Sequence, residues 1–181
     1  QIVSINIFLS FPTPHLIGQK AFIDKVEGYV RQQGLNPCTL SISNYDMDAP
    51  LAGIRRLMIG CCGLLAVAFK RSFANDLKVR YGADLAGTSG SQLHDVWLTS
   101  PYSQIEPAMA YQLGLPILIM RERGVVAEGV LERGVTGLYC PEFDCSAESP
   151  FEEFDSKALL DQWTGRVRTT YENRGAAPKY F

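Results

Sequence analysis

The stretch SPYSQIEPAMAYQLGLPILIM, residues 100–120, sets one acid, Glu106, between a Ser/Tyr/Pro turn and a run ending in the strand-like LPILIM. Small and large apolar residues follow the acid at helical spacing. The segment therefore reads as a helix over about 106–114 followed by a buried strand over 115–120. Ser103 and Glu106 fit a capping box, and Pro107 fits the first helical position, which would make Glu106 the cap itself. Both are structural roles. The alternative is chemical: a carboxylate at a helix start is held ionised by the helix dipole, and it suits stabilisation of, or attack on, an oxocarbenium-like ribose C1′.

Outward from this segment the chain alternates strands and helices. Residues 2–11, IVSINIFLSF, are β-branched and aromatic and end at a PTP turn, as a buried strand would. Residues 19–35 place Phe22, Val26, Tyr29 and Val30 on one helical face, with Gly34 as the C-terminal stop. CTLSIS, residues 38–43, gives a short second strand, and a turn-rich loop with Asp46 and Asp48 leads into a helix carrying Leu51, Ile54, Leu57 and Met58. GLLAVAF, residues 63–69, is apolar throughout, the mark of a parallel strand covered on both faces.

Residues 70–98 hold Gly82, Gly87, Gly90 and a GTSGS patch, and read as a long loop or insertion with a short helix around 74–81. After residue 121 the pattern predicts a short helix and an edge strand. A C-terminal amphipathic helix over about 152–172 then carries Phe154, Leu159, Leu160 and Trp163. The expected fold is α/β: one flavodoxin-like domain over 1–181, with a doubly wound, mostly parallel sheet of about five strands.

Composition narrows the function. Seventeen Lys and Arg against nineteen Asp and Glu, net −2 and without a basic block, leave no electrostatic footprint for nucleic acid or an anionic membrane. No apolar run approaches the roughly 18–20 residues of a membrane span. Five cysteines without a CxxC pair and two distant histidines argue for reduced thiols, a cytoplasmic setting and no metal site. Ligands of such sheets bind beyond the carboxyl ends of the strands, which puts Glu106 with Ser10, Phe11, Asp46 and Asp48. Trp97 could stack on a base or nicotinamide ring. Arg55 and Arg56 could hold a diphosphate, and His94 could relay a proton.

SPYSQIE resembles the Ser-x-(Trp/Tyr)-(Cys/Ser)-x-x-Glu motif of TIR domains. EPAMAYQLGLPI is similar to the run after the catalytic Glu in nucleoside 2-deoxyribosyltransferase-like enzymes and TIR-like bacterial proteins. NIFLSF and PLAGIRRLMIGCCGLLAVAF agree with the front half of the TIR pattern, so the resemblance spans about residues 4–120. It implies Glu106 as catalytic residue, Ser100 and Ser103 at the serine/cysteine positions, Tyr102 at the aromatic position, and Ser10 and Phe11 at the ligand-binding end of the first strand. Where the deoxyribosyltransferase pattern has an Asp six residues before its Glu, this chain has Ser100.

The resemblance further implies cleavage of the N-glycosidic bond of NAD, which is a substrate and not a cofactor, to nicotinamide and linear or cyclic ADP-ribose. It associates the chain with bacterial antiphage defence and with homo-oligomers. The alternatives are a nucleoside or nucleotide N-glycosidase or 2-deoxyribosyltransferase, and, in another class, a non-catalytic nucleotide-binding or assembly module.

Overall fold

The computed structural model describes residues 4–40, 49–136, 140–147 and 154–174. Five parallel strands form the main sheet: β1 (Ile5–Ser10), β2 (Leu35–Cys38), β3 (Leu64–Ala68), β6 (Ile117–Glu122) and β7 (Glu142–Phe143), in the order β2-β1-β3-β6-β7. Between β3 and β6 the chain forms a separate antiparallel pair, β4 (Ser72–Val79) and β5 (Ser91–Leu98). Four helices surround the sheet: α1 (Ile17–Gln32), α2 (Pro50–Ile59), α3 (Tyr102–Gln112) and α4 (Phe154–Glu172). The strand order reverses between β1 and β3, so the architecture is the flavodoxin-like doubly wound one.

Strand parity divides the core. Ile7 and Leu9 of β1, Leu65 and Val67 of β3, and Leu118 and Met120 of β6 face α1 and α4. Their neighbours Phe8, Leu64, Ala66, Ile117 and Ile119 face α2 and α3. All five residues of β3 are buried, as a central strand covered on both faces requires. Phe143 from the edge strand stacks on Phe22 of α1 with centroids 4.0 Å apart, and Phe69 meets both edge-on. Trp163 of α4 is wholly buried and donates its indole N–H to the Pro116 carbonyl at 3.1 Å. Gly63 lets it sit there, since a Cβ at that position would lie 2.6 Å from Val167 and 3.4 Å from Trp163.

Several boundaries differ from the sequence reading. The second strand is Leu35–Cys38; of the expected 38–43, residues 39 and 40 are not strand and 41–43 lie outside the described residues. Pro37 hid it; a proline is tolerated because β2 is the sheet edge, where one side of the strand has no neighbour to receive its N–H. Gly34 does stop α1, at φ 74°. The fourth strand of the main sheet runs two residues further than expected, to Glu122. Beyond it lie a single 3-10 turn at Gly129–Leu131 and the edge strand β7.

The largest correction concerns residues 70–98. They form a β-hairpin, and the segment expected as a short helix at 74–81 is instead mostly the strand β4. Only its root packs on the core, through Trp97, so its residues are mostly exposed and show no apolar alternation to read. Cross-strand pairs hold it. Phe73 and Trp97 pack at 5.0 Å, and Asp76 accepts from Gln92 at 2.8 Å and pairs with His94 at 2.7 Å. His94 is thus a hairpin surface residue and not a relay in the main sheet. The root is bonded on both sides, Arg71 N–H to the Leu98 carbonyl at 3.0 Å and Val126 N–H to the Trp97 carbonyl at 2.9 Å.

Trp163 ties α4 to the sheet through both its buried rings and its indole bond. Trp163→Ala should cost about 3–5 kcal/mol of unfolding free energy, read from urea denaturation.

Candidate functional site

A cavity of about 410 Å3 opens at the carboxyl ends of β1 and β3. Ser10, Phe11, Pro12 and Thr13 supply one wall as β1 runs into its loop. Arg71, just past β3, and Ser100, just past β5, supply another. Tyr102, Ser103 and Glu106 enter from α3, and Leu40, Pro50 and Ile54 complete the lining.

Parity explains the central pair. Ser10 lies on the same face of β1 as Phe8, toward α3, and the Ser10 hydroxyl donates a hydrogen bond to the Glu106 carboxylate. Both groups are withdrawn from water to different degrees: Ser10 is buried and Glu106 half-buried. Removing a carboxyl from water disfavours its charged form, so burial pushes the Glu106 pKa above its ordinary value of 4.5, and the Ser10 hydroxyl, which favours the carboxylate, opposes this. The sequence reading had the helix dipole keep Glu106 ionised. That expectation fails because α3 starts at Tyr102, leaving Glu106 in the second turn, beyond the reach of the terminal dipole.

For the same reason Glu106 is not a cap. The helix opens four residues earlier than expected, Pro107 lies inside it, and the Ser103/Glu106 pair closes no capping box. Ser100 does that local work. Its buried hydroxyl accepts the Tyr102 N–H at 3.2 Å and its carbonyl accepts the Ser103 N–H at 2.9 Å. The Ser103 hydroxyl lies 3.3 Å from that of Thr99. Glu106 is therefore free of any duty to the helix backbone, and its carboxylate is directed to Ser10.

Six of the twelve residues singled out in the sequence line this one cavity: Ser10, Phe11, Ser100, Tyr102, Ser103 and Glu106. Trp97 does not; it packs at the hairpin root against Phe73, with the Lys70 ammonium 5.8 Å from its ring centroid. Asp48, like Asp46, lies outside the described residues. Arg55 and Arg56 are exposed on α2 and do not line the cavity. The cation among the described lining residues is instead Arg71, which the sequence pattern alone does not single out. Its position directly after the all-apolar β3, at a carboxyl end, was the available signal.

Among the described residues no three His, Cys, Asp or Glu side chains gather as a metal-ligand set. All five cysteines are free thiols, and burial pushes Cys61 and Cys145 up to about 12. No described helix is long and apolar enough to cross a membrane.

No protein-family model and no curated protein matches the chain. Among solved structures it is similar to the TIR domains in the structure of the activated Roq1 resistosome directly recognizing the pathogen effector XopQ. The match has a TM-score of 0.40 and 11% identity over 95% of this chain and 86% of that one.

The raised Glu106 pKa has a sign for stability. The folded state resists ionisation more than the unfolded one, so the contribution is fully present below the unfolded value and is lost as pH rises through the folded value. Glu106→Gln should be at least as stable as the parent at neutral pH. Its advantage should shrink as the pH falls toward about 4 in thermal melts.

Proposed function

We propose that the protein cleaves the N-glycosidic bond between nicotinamide and ribose in NAD, with Glu106 as the catalytic carboxylate. The observation that carries this reading is the desolvated Glu106 carboxylate, held by the Ser10 hydroxyl in a cavity at the carboxyl ends of the strands. The motif order around SPYSQIE and EPAMAYQLGLPI supports it independently.

The choice of NAD over a nucleoside follows from leaving-group chemistry. A neutral purine or pyrimidine departs readily only if an acid protonates it, whereas the pyridinium of NAD departs as neutral nicotinamide with no proton required. Among the described residues lining the cavity Glu106 is the only carboxylic acid, and no imidazole accompanies it. One carboxylate suffices for the pyridinium case. The C1′–N bond breaks, its electron pair leaves with the nicotinamide nitrogen, and Glu106 stabilises the positive charge left on the ribose. Water then adds to C1′ and loses a proton, giving ADP-ribose. An adenine nitrogen adding in its place gives the cyclic product.

The hydroxyls of Ser10, Ser100 and Ser103 supply polar contacts for a ribose, and the rings of Phe11 and Tyr102 supply faces for a planar heterocycle. The helix-cap role for Glu106 loses its support, because Glu106 caps nothing in α3.

The test is incubation of the concentrated protein with NAD, resolving products by chromatography and mass; concentration matters because the family resemblance implies active homo-oligomers. The expected result is nicotinamide release that falls by about two orders of magnitude or more in Glu106→Gln. Base release from nucleosides or nucleotides with NAD left intact, or turnover that survives Glu106→Gln, would overturn the proposal.

A further inference from the structure

Resting on the reading of this cavity as a nucleotide site, we propose that Arg71 is the anchor for the ligand's phosphate groups, so that the site selects phosphorylated nucleotides over free nucleosides. Arg71 is the sole cationic side chain among the described residues that line the cavity. No described carboxylate pairs with its guanidinium, whereas Lys20, His94, Arg121 and Arg123 each face one. A guanidinium that lines a cavity and meets no carboxylate among the described residues offers a fork of donors matched to phosphate oxygens.

The backbone that carries it is clamped. Glu122, at the end of β6 and buried, accepts the Lys70 N–H at 2.7 Å. Gln19 of α1, fully buried, donates its side-chain amide to the Lys70 carbonyl at 2.9 Å and to the Glu122 carboxylate at 3.2 Å, while its own carbonyl accepts the His15 N–H at 3.1 Å. On the other side the Arg71 N–H bonds to the Leu98 carbonyl. Two buried polar side chains from separate elements thus hold the peptide groups flanking Lys70, and the hairpin holds the second of these again through the Arg71 N–H. Arg71 itself is exposed at the cavity mouth, so the clamp fixes its backbone and not its side chain. Burying a carboxylate and a carboxamide is costly unless their bonds are satisfied, and here they are satisfied by fixing the residue before Arg71.

The arrangement separates two charges by role. Glu106 serves the cationic, bond-breaking end of the ligand, and Arg71 serves its anionic end. In NAD these ends are the nicotinamide riboside and the diphosphate.

Binding tests this without cleavage. In the Glu106→Gln protein, titration calorimetry with ADP and with adenosine should show tighter binding of ADP. Adding Arg71→Gln should weaken ADP by roughly ten- to a hundredfold, the loss expected for a charge-assisted hydrogen bond, and leave adenosine unchanged. Arg71→Lys should recover part of the loss. Circular dichroism confirms that each variant is folded. ADP that binds no better than adenosine, or an affinity that Arg71→Gln changes by less than about twofold, would overturn the proposal. ADP carries no bond to nicotinamide, so a failure to turn over NAD does not touch this result, nor does a failure here touch turnover.

Discussion

The hydrogen bond from Ser10 to Glu106 is the constraint on which the site depends. It joins the first strand of the sheet to the helix that precedes the fourth strand of that sheet, across 96 residues of sequence. It can form only if β1 presents its even-numbered residues to α3, if β3 lies between β1 and β6 in parallel register, and if α3 begins early enough to bring its second turn over the end of β1. A slip of one residue in β1 would turn Ser10 to the opposite face, toward α1 and α4. The apolar residues that fix this register, Phe8 and Ile7 on their two faces, are the same ones that build the core. Site geometry and folding stability therefore share a cause.

The hairpin supplies what the five-stranded sheet alone would not. It leaves the main chain at Arg71 and returns at Leu98, and the ladder between Ser72 and Leu98 brings the residues on either side of it together. One side delivers Arg71 and the other Ser100, whose hydroxyl starts α3. The insertion is thus a spacer whose root shapes the cavity, while its exposed strands make few contacts with the sheet. The cluster of Gln19, Lys70 and Glu122 fixes that root to α1 and β6.

Much of this was legible in the sequence. Strand β3 is an uninterrupted apolar run, β1 and β6 are mostly apolar, and α1 and α4 carry their apolar residues at helical spacing with Gly34 as a stop. The principle that ligands bind at strand carboxyl ends grouped Glu106 with Ser10 and Phe11, which line one cavity, and with Asp46 and Asp48, which lie outside the described residues; Tyr102 came from the family resemblance. What was not legible depended on tertiary context. Pro37 concealed a strand that is permitted because it is an edge. The hairpin lacked periodicity because only its root, at Trp97, packs on the core. The start of α3 was misplaced because Ser103, Glu106 and Pro107 offered a local capping solution that competed with the one the chain uses, in which Ser100 closes the first turn. Arg71 could be recognised only once the hairpin was seen to fold back beside β3, and Trp97 was assigned to the cavity for want of that same hairpin.

The central claim is that Glu106 is a partly desolvated carboxyl whose ionisation Ser10 supports. Titration of its side-chain carbonyl carbon by NMR, in the parent and in Ser10→Ala, measures this directly. The account predicts a value above the ordinary 4.5 in the parent and a higher one still in Ser10→Ala, because the substitution removes a bond to the charged form while the burial remains. A parent value at or below 4.5, or one that Ser10→Ala leaves in place, would contradict it.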